Sequence, residues 1–263
     1  MLHLSAGTLL SLGLWPGALR AEGKGNSGNF HFVVINDIHY INEKCATFLD
    51  RVLKQIKSGP APEFALIAGD LSHHGTQQEF GAVKDLFAQL RIPVFVLPGN
   101  HDYVTQSDRK QYEQIFPKQL NYTLEHKGWQ FIGFDSTDGL RAANTKIQRE
   151  PMEFLKETAS RISKIQPTVL FTHFPLGEKV DKRPLNAEAV LELFKEHNLQ
   201  ATFGGHHHGF TERSLRAATL VTNRCCSFSQ PNHDGTKEKG FFACSAQDGY
   251  ITRSFVEVST ANI

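Results

Sequence analysis

Hard oxygen and imidazole donors recur in short clusters along this chain: Asp37 with His39, Asp70, Asn100 with His101 and Asp102, His173, and His206 with His208. Donors of this mixed kind suit two neighbouring divalent or trivalent cations, and a carboxylate such as Asp70 has the two oxygens needed to bridge them. Paired cations neutralise phosphoryl oxygens and lower the pKa of bound water, which is the chemistry of displacement at phosphorus. No serine or cysteine nucleophile is needed for it.

Elements that end at fixed places must position these side chains. Phe30 to Ile35 is an aromatic and β-branched run that stops at Asn36, Asp37, Ile38 and His39. Runs of that kind, bounded by polar residues, read as buried strands. Phe64–Ala68 stops at Gly69 and Asp70, Pro93–Leu97 at Pro98 to Asp102, Thr168–Phe171 at Thr172 and His173, and Ala201–Phe203 at Gly204 to His208. Between them lie helical patterns over Lys44–Lys57, Gln77–Leu90, Pro151–Ile165 and Asn186–His197; in the second, Phe80, Val83, Leu86, Phe87 and Leu90 share one face. Alternation of strand and helix is the βαβ signature, and open sheets of that class present ligands at the carboxyl ends of their strands.

After His208 the pattern changes. Phe210–Ser214, Ala218–Thr222, Gly240–Gln247 and Tyr250–Val258 read as short antiparallel strands that complete a second sheet. Asn232-His233-Asp234-Gly235 imitates the Asn100 cluster in composition, but it follows Pro231 with no apolar run feeding it, so it reads as a turn. Asp135, at the end of Trp129–Phe134, reads either as a support for the site or as a turn former.

The 263 residues are 40% hydrophobic and carry 28 basic against 27 acidic side chains. A chain of this size buries a large core, and a net charge of +1 gives no global field toward nucleic acid or anionic membrane. Residues 1–21 read as an export signal or hydrophobic leader, 22–29 as a polar linker, 30–258 as one catalytic domain and 259–263 as a tail. Leu4–Leu19 is uncharged but short and broken by Gly and Pro16, which suits a secretory signal better than a stable membrane span. Its missing basic start fits a twin-arginine signal cut by a misplaced start codon, with a periplasmic or extracellular protein as the expectation and a cytoplasmic one as the alternative. Cys45, Cys225, Cys226 and Cys244 are too scattered for a disulfide framework or a zinc site, and they read as small buried residues, with a Cys226–Cys244 pair left open.

Taken in order, Asp37-Ile38-His39, Gly69-Asp70 closing at Gly75, Gly99-Asn100-His101-Asp102, His173 and Gly205-His206-His207-His208 resemble the calcineurin-like metallophosphoesterases, over about Phe30 to Phe210. The resemblance implies a four-layer α/β/β/α sandwich of two mixed sheets flanked by helices. It implies that Asp37, His39, Asp70 and His208 hold one metal and that Asp70, Asn100, His173 and His206 hold the other. Alternate residues of an extended segment share a side, which would converge Asp37 with His39 and His206 with His208 and turn His207 away. A hydroxide shared by two ions is expected to attack phosphorus, with His101 as the leaving-group acid and Asp102 orienting its ring. The donors suit Mn, Fe, Zn or Co.

Departures from relatives narrow the reading. Purple acid phosphatases carry a tyrosine ligand where this chain has His73, so a tyrosine-bound ferric ion is not expected; protein phosphatases use arginines where this chain has Tyr103, Val104 and Thr105. The compact length is closer to bacterial cyclic-nucleotide phosphodiesterases. His73 and His74 read as rim contacts or surface, and His31, His126, His197 and His207 as structure or surface. A small-molecule phosphoester is the expected partner. A catalytically idle metal scaffold is one alternative; a nuclease is another, although Lys179, Lys182 and Arg183 form only a short basic run. Tyr103–Phe116 and Asp138–Arg149 are expected to set substrate choice.

Overall fold

The computed structural model describes residues 27–263. The export-signal reading for residues 1–21 and most of the 22–29 linker therefore lie outside the described residues. Among those described, no helix is long and apolar enough to cross a membrane.

Strand β1 (Phe30–Ile35) is buried on both faces, and its alternation assigns them: Phe32 and Val34 point between two sheets, while Val33 and Ile35 point outward under helices. β2 (Phe64–Ala68) and β3 (Val94–Leu97) continue the sheet in parallel. Helix α1 (Glu43–Ser58) starts where the Asn42 side chain accepts the Lys44 amide, and α2 (Gln77–Ala88) starts on a reciprocal cap between Thr76 and Glu79. Phe48, Leu49, Val52 and Leu53 of α1 and Phe80, Val83 and Phe87 of α2 cover the outer face of this sheet. A 3-10 turn at Asn100–Asp102 and a short helix α3 (Lys110–Ile115), which the sequence left as loop, follow β3. Tyr112 at the core of α3 packs against Phe80, with ring centroids 5.7 Å apart.

The second sheet is built from a hairpin of β4 (Tyr122–His126) and β5 (Trp129–Gly133), then β6 (Thr168–Phe171), β7 (Leu199–Gly204), β8 (Thr211–Leu215) and β9 (Ala218–Thr222). Its order is β4-β5-β6-β7-β9-β8. Helices α4 (Arg149–Arg161) and α5 (Ala187–Leu193) cover its outer face through Leu155, Val190, Leu191 and Phe194. Phe30, Phe64, Trp129, Phe131, Phe171 and Phe203 fill the space between the sheets. The four-layer expectation holds.

One expectation about the chain after His208 is corrected. β10 (Gly240–Gln247) and β11 (Tyr250–Glu257) do not join the second sheet; β10 pairs antiparallel to β1, giving the first sheet the order β11-β10-β1-β2-β3. β9 runs parallel to β7 and only β8 beside it is antiparallel. A two-faced apolar strand such as β10 satisfies either sheet by pattern alone, so alternation cannot choose between them. The cysteines are all free and buried. Cys226 belongs to the helix-side core and Cys244 to the inter-sheet core, on opposite faces of the first sheet, which excludes the pair left open above.

Candidate metal centre

The carboxyl ends of β1, β2, β3, β6 and β7 meet at one end of the sandwich, and the five donor clusters meet there with them. The loop after β1 runs alongside the loop after β2: the Asp37 amide donates to the Gly69 carbonyl at 3.1 Å and the His39 amide to the Asp70 carbonyl at 2.9 Å. Gly69 and Gly99 have to be glycines for reasons of space. A Cβ on Gly69 would collide with the His173 ring, and one on Gly99 with the Asp70 carboxylate.

Asp37, His39, Asp70 and His208 form one buried group of converging donors, and Asp70, His173 and His206 form another. Asp70 Oδ2 lies 3.4 Å from His39 Nε2 and 3.4 Å from His173 Nε2, so one carboxylate oxygen touches both groups. His208 Nε2 is 3.3 Å from Asp37 Oδ1 and 3.1 Å from His39 Nε2. On the other side His206 Nδ1 is 3.2 Å and Asn100 Oδ1 3.3 Å from His173 Nε2. Bonds of about 2.0–2.1 Å to a shared ion put neighbouring donor atoms roughly 2.9–3.4 Å apart in octahedral or tetrahedral geometry. The spacing and the chemistry of both donor sets therefore fit a pair of ions.

Hydrogen bonds behind the rings fix which nitrogen faces inward. His173 Nδ1 donates to the Ala68 carbonyl at 3.0 Å, His208 Nδ1 to Pro231 at 3.1 Å and His206 Nε2 to Ala142 at 2.8 Å. Each bond turns the opposite ring nitrogen toward the cluster, the usual support for a metal-binding imidazole. His39 has its rear Nδ1 3.4 Å from Nδ1 of His73 instead.

Burial and mutual contact set the charges of the metal-free cluster. Burial by itself would raise the Asp37 carboxyl, yet the His208, His173 and His39 rings draw it well below the usual carboxylate range. Burial disfavours a charged His208, but Asp37 outweighs it and lifts that ring to about 11. His39 and His206 go the other way, pushed well down by burial and then by neighbouring imidazoles.

Two sequence expectations change. Asp37 and His39 do converge, as do His206 and His208, but not on extended backbone: with Asp70 they stand at φ 52, 47, 61, 46 and 52° respectively, in the left-handed region. A non-glycine residue there costs about 1–2 kcal/mol, so the loops hold strain where the donors gather. Ile38, between the first pair, goes to the helix-side core; His207, between the second, leaves its Nδ1 without a partner among the described residues. Secondly, Asp102 does not orient His101. Its fully buried carboxylate accepts from the amides of Leu71, Ser72 and Gly99 at 3.1, 2.9 and 2.8 Å and from the Ser72 hydroxyl at 2.9 Å, which ties the β2 loop to the β3 loop. The partner of His101 Nδ1 is the His73 carbonyl, 3.1 Å away, and the two rings stack at 4.8 Å.

Sequence reasoning left one support open and missed two others. His73 touches both His39 and His101, whereas His74 is spent on Glu79 at 2.7 Å. The 231–235 turn is a turn, as read, but it closes over the site: Pro231 holds His208 and His233 stacks on it, with centroids 4.7 Å apart. With no apolar run feeding that turn, nothing in its sequence signalled this. The third is Ala142, whose loop reaches His206. Asp135 is a turn former that also pairs with Arg109; it does not reach the donor cluster. The two stretches expected to set substrate choice form one wall, since Gln106 bonds the Asp138 carbonyl at 2.8 Å and the Leu140 amide at 3.2 Å.

Comparison with known proteins agrees with this geometry. The family description "calcineurin-like phosphoesterase" matches residues 30–210. A glycerophosphodiester phosphodiesterase of Enterobacter lignolyticus is 26% identical over 216 residues, covering 72% of this chain and 74% of that protein. A probable cyclic nucleotide phosphodiesterase of Colwellia psychrerythraea is 26% identical over 183 residues, covering 68% and 67%. Among solved structures, a dimetal phosphatase from Danio rerio superposes with a TM-score of 0.66 at 13% identity, covering 88% of this chain and 99% of that one. With the family match spanning well over half its length, this chain belongs to the calcineurin-like phosphoesterases and is a metal-dependent phosphoesterase.

Proposed function

We propose that the chain hydrolyses small phosphodiesters at a two-metal centre in which Asp37, His39, Asp70 and His208 hold one ion and Asp70, Asn100, His173 and His206 hold the other. The observation that carries this is the set of main-chain carbonyls behind His173, His206 and His208, which turn the other ring nitrogen of each toward a cluster divided by Asp70. Bound Mn, Fe, Zn or Co ions would supply charge neutralisation at the phosphoryl oxygens and an acidified water.

The chain's own groups do the rest. Asn100 contributes a neutral amide oxygen, which limits the negative charge an anionic substrate meets. His101 is partly exposed beside the buried donors, and its Nδ1–H is held by the His73 carbonyl. Its Nε2 is thereby the proton carrier, set to protonate the departing alkoxide. His73 stands where a tyrosine ligand would stand in a purple acid phosphatase, so this reading includes no phenolate ligand at that position. The names of the two sequence relatives support a diester before a monoester. Against a nuclease, Arg183 is committed to the Leu176 carbonyl and Glu188, leaving little of the basic run for a phosphate backbone.

Chelator-stripped protein reloaded with each metal tests the reading. Turnover of bis(p-nitrophenyl) phosphate, cyclic nucleotides or glycerophosphodiesters is expected with two ions per chain and to exceed turnover of p-nitrophenyl phosphate. Two bound ions without turnover of any ester identify the idle scaffold, and turnover that survives metal removal overturns the centre. Export is a separate part of the reading, resting on Leu4–Leu19; sequencing a native N-terminus that begins at Met1 overturns it.

A further inference from the structure

Lys239 is a buried lysine, 8% exposed, and among the described residues no carboxylate oxygen pairs with its Nζ within 4 Å. Its Nζ lies 2.9 Å from Cys225 Sγ, 2.6 Å from the Gln230 carbonyl and 3.2 Å from Asn232 Oδ1. A carbonyl and an amide oxygen hold the amine in place, and the third partner within reach of Nζ is the sulfur. Cys225 is itself fully buried, its amide bonded to the same Asn232 side chain at 3.1 Å. Among the described residues no amine hydrogen-bonds to the other thiols: Cys226 and Cys244 sit in the helix-side and inter-sheet cores, where burial pushes their thiols up, at Cys226 against the charge of the nearby Lys239, and Cys45 faces the His39 carbonyl at 4.0 Å.

We propose that Cys225 and Lys239 are a site of reversible oxidative cross-linking, closed by hydrogen peroxide as a direct sulfur–nitrogen bond. In the first step the sulfur attacks one peroxide oxygen; an S–O bond forms and the O–O bond breaks. The departing hydroxide leaves as water with the thiol proton. Sulfur is oxidised by two electrons, peroxide is reduced by two, and Cys225 becomes a sulfenic acid. In the second, Lys239 Nζ gives up a proton to solvent and its lone pair attacks sulfur. An S–N bond forms and the S–O bond breaks, the hydroxide leaving as water with a second amine proton, with no further change of oxidation state. A sulfenic acid held against a nitrogen nucleophile is known to condense in this way, and thiols reverse the product.

The position gives the cross-link a consequence. It joins the two ends of the segment 225–239, which carries Pro231 and His233 against His208. That loop, held covalently, keeps its grip on the His208 ring while the sulfur is protected from sulfinic and sulfonic acids.

Full-length zinc-loaded protein, whose metal brings no redox chemistry of its own, is treated with hydrogen peroxide, digested with trypsin without reductant and read by tandem mass spectrometry. The expected product is a cross-linked species in which the peptide starting at Cys225 is joined to Glu238–Arg253, uncut after Lys239 and lighter by two hydrogen atoms than its separate parts. Dithiothreitol should return both parts. Cleavage after Lys239 with Cys225 present as sulfinic acid, joined to Cys226 or unmodified overturns the proposal. Lys239→Arg, which keeps a cation at the site, should convert peroxide-treated Cys225 to irreversible acids. If that variant does not fold, the wild-type digest still decides.

Discussion

Asp37 and His208 share a proton that a metal must displace. Their atoms Oδ1 and Nε2 stand 3.3 Å apart, and the carboxylate lifts the ring to about 11 against the opposing effect of burial. His39 alongside is driven down by burial and then by His208, so of these two rings His208 keeps the proton.

The sign for metal binding follows. Below about 11 the His208 ring is protonated in the metal-free chain, and a metal takes only the neutral ring. Loading at pH 7 should therefore release about one proton at this position, and apparent affinity should rise by up to about tenfold per pH unit over pH 6–9. Calorimetric titration in buffers of different ionisation enthalpy counts the protons. Loading without proton release at pH 7 contradicts the pair as described.

Among the described residues, Asp70 is the carboxylate that belongs to both donor groups. Asp70→Asn removes a negative charge shared by both ions, so both affinities and kcat/KM should fall, each by at least about 10²-fold. Elemental analysis and kinetics on the same preparation check it, and two tightly held ions with undiminished turnover would rule out the bridging role.

Asp102 should matter to stability before chemistry. Asp102→Ala strips the acceptor from the Leu71, Ser72 and Gly99 amides, each a buried donor that costs about 1–3 kcal/mol when left unpaired. Denaturant unfolding of the metal-free variant should show a loss of several kcal/mol, while Asp102→Asn, which keeps one acceptor oxygen, should lose less. A variant as stable as the parent but unable to turn over would restore Asp102 to a role at His101.

What the sequence made legible was the strand ends. Each donor cluster follows an apolar run, and a run that stops at a polar residue fixes where the backbone leaves the sheet, so Asp37, Asp70, Asn100, His173 and His206 could be placed without coordinates. The turn at Asp37 and His39 was legible only in its result. Period-two logic gives the right convergence, but two left-handed residues around Ile38 produce it, and the enrichment of Asp and His in that uncommon backbone is too weak to single them out from sequence. Contacts between loops were not legible at all. Asp102 reads as the partner of its neighbour His101 until Leu71, thirty-one positions away, claims its oxygen, and His233 reads as part of a polar turn until it is found against His208. Pairing of β10 with β1 was hidden for the same reason: both strands are apolar on both faces, and only the chain's path decides between sheets.

His101 is the residue whose chemistry and position can be separated by kinetics. Its main-chain amide donates to Asp70 Oδ1 at 2.8 Å, so the backbone belongs to the metal cradle, but its ring, bonded to the His73 carbonyl, converges with His39 and His73 and is in neither of the two donor groups that share Asp70. A substitution that keeps the backbone should therefore spare the ions. A leaving group such as p-nitrophenolate needs little protonation, whereas an alkoxide needs much more, so losing an acid weighs mainly on alkyl esters. His101→Asn should hold two ions and lose about 10²–10⁴-fold toward alkyl diesters, with a distinctly smaller loss toward bis(p-nitrophenyl) phosphate. Solvent-viscosity dependence establishes that chemistry limits both rates. Equal losses for the two substrates with metal content intact make His101 a phosphate-positioning residue, and lost metal places its ring in the cradle along with its amide.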